Sequence, residues 1–175
     1  MKNKAELRIL AKNIRKRLNM AEISKKIISG IYNIPQYPKS EHVMIFYPIQ
    51  NEINLLPLSD DPGKFFYLPR VCGNELECCP YKAGDETACS LMNINEPCTN
   101  AVDKSVLDII FVPALMADLD FNRLGYGAGY YDRFLNGIRA FKVIPVPEEL
   151  VMTRLPAESH DIKCDAVITQ KKVSF

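Results

Sequence analysis

The stretch Val106–Val112, VLDIIFV, decides how the rest of the chain is read. It is almost continuously apolar over a strand's length, as expected of a β-strand covered on both faces. Four other short runs, His42–Tyr47, Phe65–Leu68, Ala140–Val146 and Asp165–Thr169, also read as strands. Two helices precede them. Leu7, Leu10, Ile14 and Leu18 recur at spacings of three and four, which puts them on one face of a helix over 4–18. Asn19 followed by Glu22 has the form of a cap with an acid in the first turn. It opens a second helix to about Tyr32, burying Ile23, Ile27, Ile28 and Ile31 and ended by Pro35 and Pro38. Helices before and between buried strands predict an α/β fold with a largely parallel sheet. Leu76–Tyr81 is expected to add a strand outside that core. With no repeat, low-complexity tract or linker, residues 1–175 read as a single domain.

Composition narrows the function classes. Hydrophobic residues make up 47% and charged residues 25% of the chain, the balance of a soluble globular protein with a full core. The net charge of +1 argues for neither a nucleic-acid partner nor a membrane. Basic residues nevertheless crowd the first helix: Lys2, Lys4, Arg8, Lys12, Arg15, Lys16 and Arg17 face one acid, Glu6. By themselves they read as a solvated face. The six cysteines show no C-x-x-C pair, so no zinc site is expected, and the chain is long enough to do without disulfides. They read as reduced thiols of a cytoplasmic protein. The N-terminus lacks the apolar stretch of a signal peptide. No apolar run approaches the roughly 18 residues that cross a bilayer.

The chemistry lies in Phe111–Leu135, FVPALMADLDFNRLGYGAGYYDRFL. A buried strand ends at Pro113, and ligands of open α/β sheets bind at carboxyl ends of strands. Gly125, Gly127 and Gly129 let the backbone approach a ligand and turn N–H groups toward an anion. The helix that follows adds its positive end. Arg123 can meet phosphate, and Asp132 offers a hard oxygen for Mg²⁺. The spacing is neither a P-loop nor the dinucleotide G-x-G-x-x-G. Alone, G-x-G-x-G reads better as a glycine-rich turn with packed tyrosines. Arg123 before it and Tyr130, Tyr131 and Asp132 after it favour a ligand loop.

The segment RLGYGAGYYDRFL closely resembles the hallmark motif of the 5-formyltetrahydrofolate cyclo-ligase family. The resemblance covers nearly the whole chain. It includes Lys4-x-x-Leu7-Arg8, Phe46-Tyr47-Pro48, Asn51-Glu52-Ile53, Leu68-Pro69-Arg70-Val71 and Glu96-Pro97. It closes with Leu155-Pro156, His160-Asp161 and Asp165-Ala166-Val167-Ile168-Thr169. Each piece is short; their order and spacing together are specific. Two departures stand out. Ala128 occupies a position where relatives often carry glycine or lysine, and Pro147 and Leu150, with Pro145 before them, replace an aromatic and a glutamine.

The resemblance implies a three-layer Rossmann-like fold and an ATP- and Mg²⁺-dependent closure of 5-formyltetrahydrofolate to 5,10-methenyltetrahydrofolate. It implies that Lys4, Arg8 and the loop Arg123, Leu124, Gly125, Tyr126, Gly127, Ala128, Gly129, Tyr130 and Tyr131 bind ATP. Arg123 and Tyr130 are the implied catalytic groups. Tyr47, Glu52 and Tyr126–Tyr130 would border the folate, and Asp132 and Asp161 would hold Mg²⁺. Without the family, these residues read as a basic face, a loop acid, a core aromatic, a helix-start acid and a turn former. Lys12, Arg15, Lys16 and Arg17 keep the solvated reading, and His42 reads as structural. The resemblance further implies a monomer, while the near-neutral charge and the confinement of the basic excess to one helix argue against a nucleic-acid partner, and no membrane partner is expected. Rival readings are a nucleotide- or folate-binding module without catalysis, and a different enzyme on a similar scaffold, such as a sugar-phosphate isomerase or acyl-CoA transferase relative.

Overall fold

The computed structural model describes residues 2–90, 94–158 and 161–175; His160 lies outside them. Helix α1 (Lys4–Arg15) opens on Asn3, whose side chain accepts from the Glu6 N–H at 3.0 Å while Glu6 accepts from the Asn3 N–H at 2.9 Å. This reciprocal box satisfies two of the donors that a helix start leaves bare. Helix α2 (Met20–Ile31) is capped by Asn19, which accepts from the Glu22 N–H.

Strands β1 (His42–Met44), β2 (Phe65–Cys72) and β3 (Glu75–Tyr81) follow, then a two-stranded ribbon of β4 (Thr87–Cys89) and β5 (Asn95–Pro97). Next come β6 (Ile109–Phe111), β7 (Met116–Asp118), β8 (Arg123–Leu124), α3 (Tyr130–Leu135) and β9 (Phe141–Pro145). The chain ends with β10 (Val151–Met152), β11 (Ala166–Ile168) and β12 (Val173–Ser174). The main sheet has the order β12-β11-β9-β6-β1-β2-β3. From β11 to β2 every pairing is parallel, with antiparallel strands at both edges.

The strands alternate strictly between two cores. Met44, Ile110, Val112, Ile144 and Val167 join Leu7 and Ala11 of α1 on one face. Val43, Ile45, Ile109, Phe111, Val143 and Ile168 join Ile23, Ile27 and Ile31 of α2 on the other. The result is the three-layer α/β fold expected. Burying one such side chain contributes about 1.5–3 kcal/mol, so the two faces dominate the stability. Asp108 interrupts VLDIIFV for a reason: its carboxylate accepts from the N–H groups of Glu41 and His42 at 2.8 and 2.9 Å, pinning β6 to the start of β1.

Three details differ from the sequence reading. Leu76–Tyr81 does not lie outside the core sheet: β3 pairs with β2 over its full length and buries Cys78 and Cys79. The apolar runs extend past the ladders at their ends, so β1 and β6 are shorter than the runs that contain them. The three-stranded sheet β10-β7-β8 was not anticipated. Pro145 fits the end of β9 without loss. The Val146 N–H donates toward β11, so residue 145 faces β6, whose registered pairs end at Phe111↔Val143. Leu150 is fully buried against the α1 face.

Candidate active site

In chain order the parallel strands β1, β2, β6, β9 and β11 lie as 2-1-3-4-5, so the connections diverge between β1 and β6. At such a switch point the outgoing loops part and leave a crevice at the carboxyl ends. A cavity of about 430 Å³ lies there, lined from Phe46–Glu52 after β1, from β2, from Pro113 after β6 and from the glycine loop.

Arg123 is delivered by the β7–β8 hairpin. Asp118, at its turn, is almost fully buried and accepts from the N–H groups of Asp120, Asn122 and Leu155 at 3.0, 2.9 and 2.8 Å. That staple fixes where β8 ends. Arg123 then turns back under the loop, its side chain 6% exposed, with Nη2 2.6 Å from Asp132 Oδ1. Its Nε is buried with no partner, and a Cβ on Gly125 would come within 2.9 Å of its Nη1. The guanidinium thus has one donor without a protein partner, and a side chain at position 125 would have to displace it. Gly127 and Gly129 sit at φ +105° and +70°, where an L side chain is strained. Helix α3 has only six residues, so its end contributes little dipole, and the anion-binding case rests on side chains and loop.

Three cations of α1 reach the site. Lys4 Nζ lies 2.8 Å from Asp161 Oδ2 and 3.0 Å from Glu158 Oε2. Burial pulls the Lys4 ammonium down, but the two carboxylates together outweigh it and hold it above its usual value. Arg8 Nε donates to the Gly125 carbonyl at 2.9 Å. Arg15 corrects the solvated reading: it is 4% exposed and donates to the Ala114 carbonyl and, at 3.4 Å, to the Tyr126 hydroxyl. Lys12, Lys16 and Arg17 are exposed, as expected. Spacing alone does not single out Arg15: Lys12 shares the stripe of Lys4, Arg8 and Arg15 and is exposed.

Glu52 is buried in the lining. Its Oε1 accepts from the Tyr126 hydroxyl at 2.6 Å and its Oε2 from the Ile49 N–H at 2.9 Å. Burial pushes its carboxyl up, opposed by those hydrogen bonds and by the charge of Arg15. The same carboxylate and burial push the Tyr126 phenol well above its ordinary range. Tyr47 is half-buried, its hydroxyl accepting from Asn95 Nδ2 at 2.8 Å. Tyr130 lies under the Arg133 guanidinium and reaches the Gly73 carbonyl at 3.4 Å. Tyr131 packs inward on Phe134, and its buried hydroxyl has no partner. Leu124 is buried, so it can offer only backbone to a ligand. Glu96 also lines the cavity, accepting from the Val71 N–H at 3.1 Å; Glu158 does too. His42 binds the Tyr67 hydroxyl at 2.8 Å and stacks on Phe65, away from this lining.

The structure therefore gathers every sequence-predicted site residue into one lining. Among the described residues no cluster of three or more metal-ligating side chains occurs. Asp132 and Asp161 both face the cavity, each on a cation of the protein. That donor set suits Mg²⁺, which takes one or two carboxylates and completes its shell with phosphate oxygens and water.

The family model of the 5-formyltetrahydrofolate cyclo-ligases matches residues 1–170. The chain belongs to this family. A mouse 5-formyltetrahydrofolate cyclo-ligase is 29% identical over 94% of the chain and 88% of its own length. The cyclo-ligase of Escherichia coli K12 is also 29% identical, over 87% of the chain and 90% of its own. Among solved structures, Aquifex aeolicus 5,10-methenyltetrahydrofolate synthetase superposes with a TM-score of 0.87 at 34% identity, covering 97% of this chain and 91% of that one. The Mycoplasma pneumoniae 5,10-methenyltetrahydrofolate synthetase, at 19% identity, shares the fold: TM-score 0.79 over 97% and 99% of the two chains. In this cyclo-ligase the glycine-loop motif, with Lys4, Arg8, Tyr47, Glu52 and Asp161 from the other motifs, lines the crevice.

Proposed function

We propose that this cyclo-ligase closes 5-formyltetrahydrofolate to 5,10-methenyltetrahydrofolate, converting ATP to ADP and phosphate. The observation that carries the reading is the charge content of one cavity. Its lining joins a buried carboxylate, Glu52, held by Tyr126 of the glycine loop, to three cations, Lys4, Arg8 and Arg123. Each Glu52 oxygen has one protein donor and a second lone pair for the N–H edge of a pterin. Tyr47 and the apolar wall would flank the ring.

In the proposed course the formyl oxygen attacks the γ-phosphorus of ATP and ADP departs. The N10 lone pair then attacks the activated formyl carbon, the N10 proton is lost, and phosphate leaves with the former formyl oxygen. The protein's task is alignment and neutralisation of charge, with no side-chain nucleophile. Arg123, using its unpartnered Nε, Lys4 and Arg8 would meet the phosphates. Tyr130 and the backbone of residues 124–129 would position them. Mg²⁺ held by Asp132 and Asp161 would neutralise phosphate charge. We further read residues 1–175 as one domain, monomeric and cytoplasmic, without nucleic-acid or membrane partners; no described helix is long and apolar enough to cross a membrane.

The test is absorbance of methenyltetrahydrofolate formed from 5-formyltetrahydrofolate and Mg²⁺, with and without ATP. ATP-dependent product supports the reaction. No product from folded protein would favour a binding module without catalysis.

A further inference from the structure

Arg15 has no place in the motif set above, yet it is the most deeply buried cation of α1, in a helix whose other basic residues past Arg8 are exposed. Burying a guanidinium is costly unless it is paired and hydrogen-bonded. Its partners are specific. One amino group is held by the carbonyl of Ala114, in the segment after β6, and the other donates to the Tyr126 hydroxyl. Tyr126 in turn donates to Glu52 Oε1 at 2.6 Å. Arg15, Tyr126 and Glu52 form a line from α1, through the glycine loop, to the carboxylate after β1.

We propose that Arg15 is a positioning residue for the folate end of the site: through the Tyr126 hydroxyl it orients the Glu52 carboxylate that receives the substrate. This rests on the assignment of Glu52 to the folate. Tyr126 can give its one proton to only one acceptor. With Arg15 donating to the phenol oxygen, that proton is left to point at Glu52. The positive charge behind the phenol also favours the ionised carboxylate that an N–H edge needs. The Ile49 N–H holds the other oxygen at 2.9 Å, so the carboxylate plane is fixed from two sides. Removing Arg15 leaves Tyr126 free to rotate and Glu52 buried with one fixed donor.

The experiment compares KM for 5-formyltetrahydrofolate with KM for ATP in Arg15→Met, Arg15→Lys, Tyr126→Phe, Glu52→Gln and the double variant Arg15→Met/Tyr126→Phe. A hydrogen bond to a buried charge corresponds to roughly tenfold to hundredfold in an equilibrium constant. Arg15→Met should raise the folate KM by that order and leave the ATP KM within about twofold. Arg15→Lys should recover part of the loss. In the double variant the two losses should not multiply, because both act on one line of contacts. Equal rises in both KM values, or multiplicative losses in the double variant, would overturn the proposal and make Arg15 a structural residue. If Arg15→Met does not fold, Arg15→Lys and Tyr126→Phe decide alone: an unchanged folate KM in both overturns it. A Glu52→Gln variant with unchanged folate KM would instead remove the assignment of Glu52 on which the proposal stands.

Discussion

A buried carboxylate with two donors works against the stability of the protein that holds it. Burial raises the Glu52 carboxyl above its ordinary value, so between the two values the folded chain keeps a proton that the unfolded chain has released. Stability attributable to Glu52 is therefore lost as pH rises through that window. Glutamine carries no such proton. The stability of Glu52→Gln relative to the wild type should grow as pH rises above the ordinary carboxyl range, read as a difference in Tm at each pH. A difference independent of pH would mean that Glu52 titrates normally. Thiols give a second residue-scale test. Burial pushes Cys78 and Cys164 up to about 12, and Cys79 is also buried and raised, whereas Cys72 and Cys98 are exposed. A thiol reagent at neutral pH should label Cys72 and Cys98 at once and reach Cys78, Cys79 and Cys164 only on unfolding. Rapid labelling of Cys164 would show that the segment around β11 opens in the native state.

At the scale of elements, the glycine loop and α1 are matched surfaces. A Cβ on Gly127 would lie 3.1 Å from the Arg8 guanidinium, on a backbone at φ +105°. Gly127→Ala should cost on the order of 1–3 kcal/mol in strain, lower the Tm by several degrees and raise the ATP KM. Arg8→Ala in the same background should restore part of the Tm, because it removes the obstacle, without restoring ATP use. Elements also show what a sequence reveals. Five strands of the main sheet were legible because burial on both faces leaves an apolar run whatever the register. The sheet β10-β7-β8 was not, because strands of two or three residues carry no periodicity. The β2–β3 pairing was underrated: β3 mixes Glu75, Glu77 and Pro80 with buried cysteines, as an edge strand does. The glycine loop stood out through Arg123 before it and Tyr130, Tyr131 and Asp132 after it, since G-x-G-x-G alone reads as a turn. Arg15 was not, because a basic residue among basic residues looks solvated until the loop that covers it is known.

Across the whole molecule, the site is closed on itself by ion pairs. Lys4 holds Asp161 and Glu158, and Arg123 holds Asp132, so the cations proposed for phosphate are on the carboxylates proposed for the metal. Nucleotide alone would draw Lys4 and Arg123 away from Asp161 and Asp132 and bring phosphate charge toward the two carboxylates. The metal alone would have to compete with two fixed cations. Both together replace the Lys4–Asp161 and Arg123–Asp132 pairs with cation–phosphate and carboxylate–metal pairs. Nucleotide and Mg²⁺ should therefore each tighten the other's binding, and by the same factor, because coupling between two sites is reciprocal. A coupling of about 5–150-fold is the usual range. Calorimetric titration of ADP with and without Mg²⁺, and of Mg²⁺ with and without ADP, measures both sides of the cycle. Magnesium already pairs with ADP in water, so the protein's share is the part that changes in Asp132→Asn. That variant should lose most of the protein-borne coupling, and its turnover should need more Mg²⁺; without the charge opposite the buried Arg123 guanidinium its Tm should also fall. Asp132→Asn with undiminished coupling would take Asp132 out of the metal site and leave it as the partner that aims Arg123.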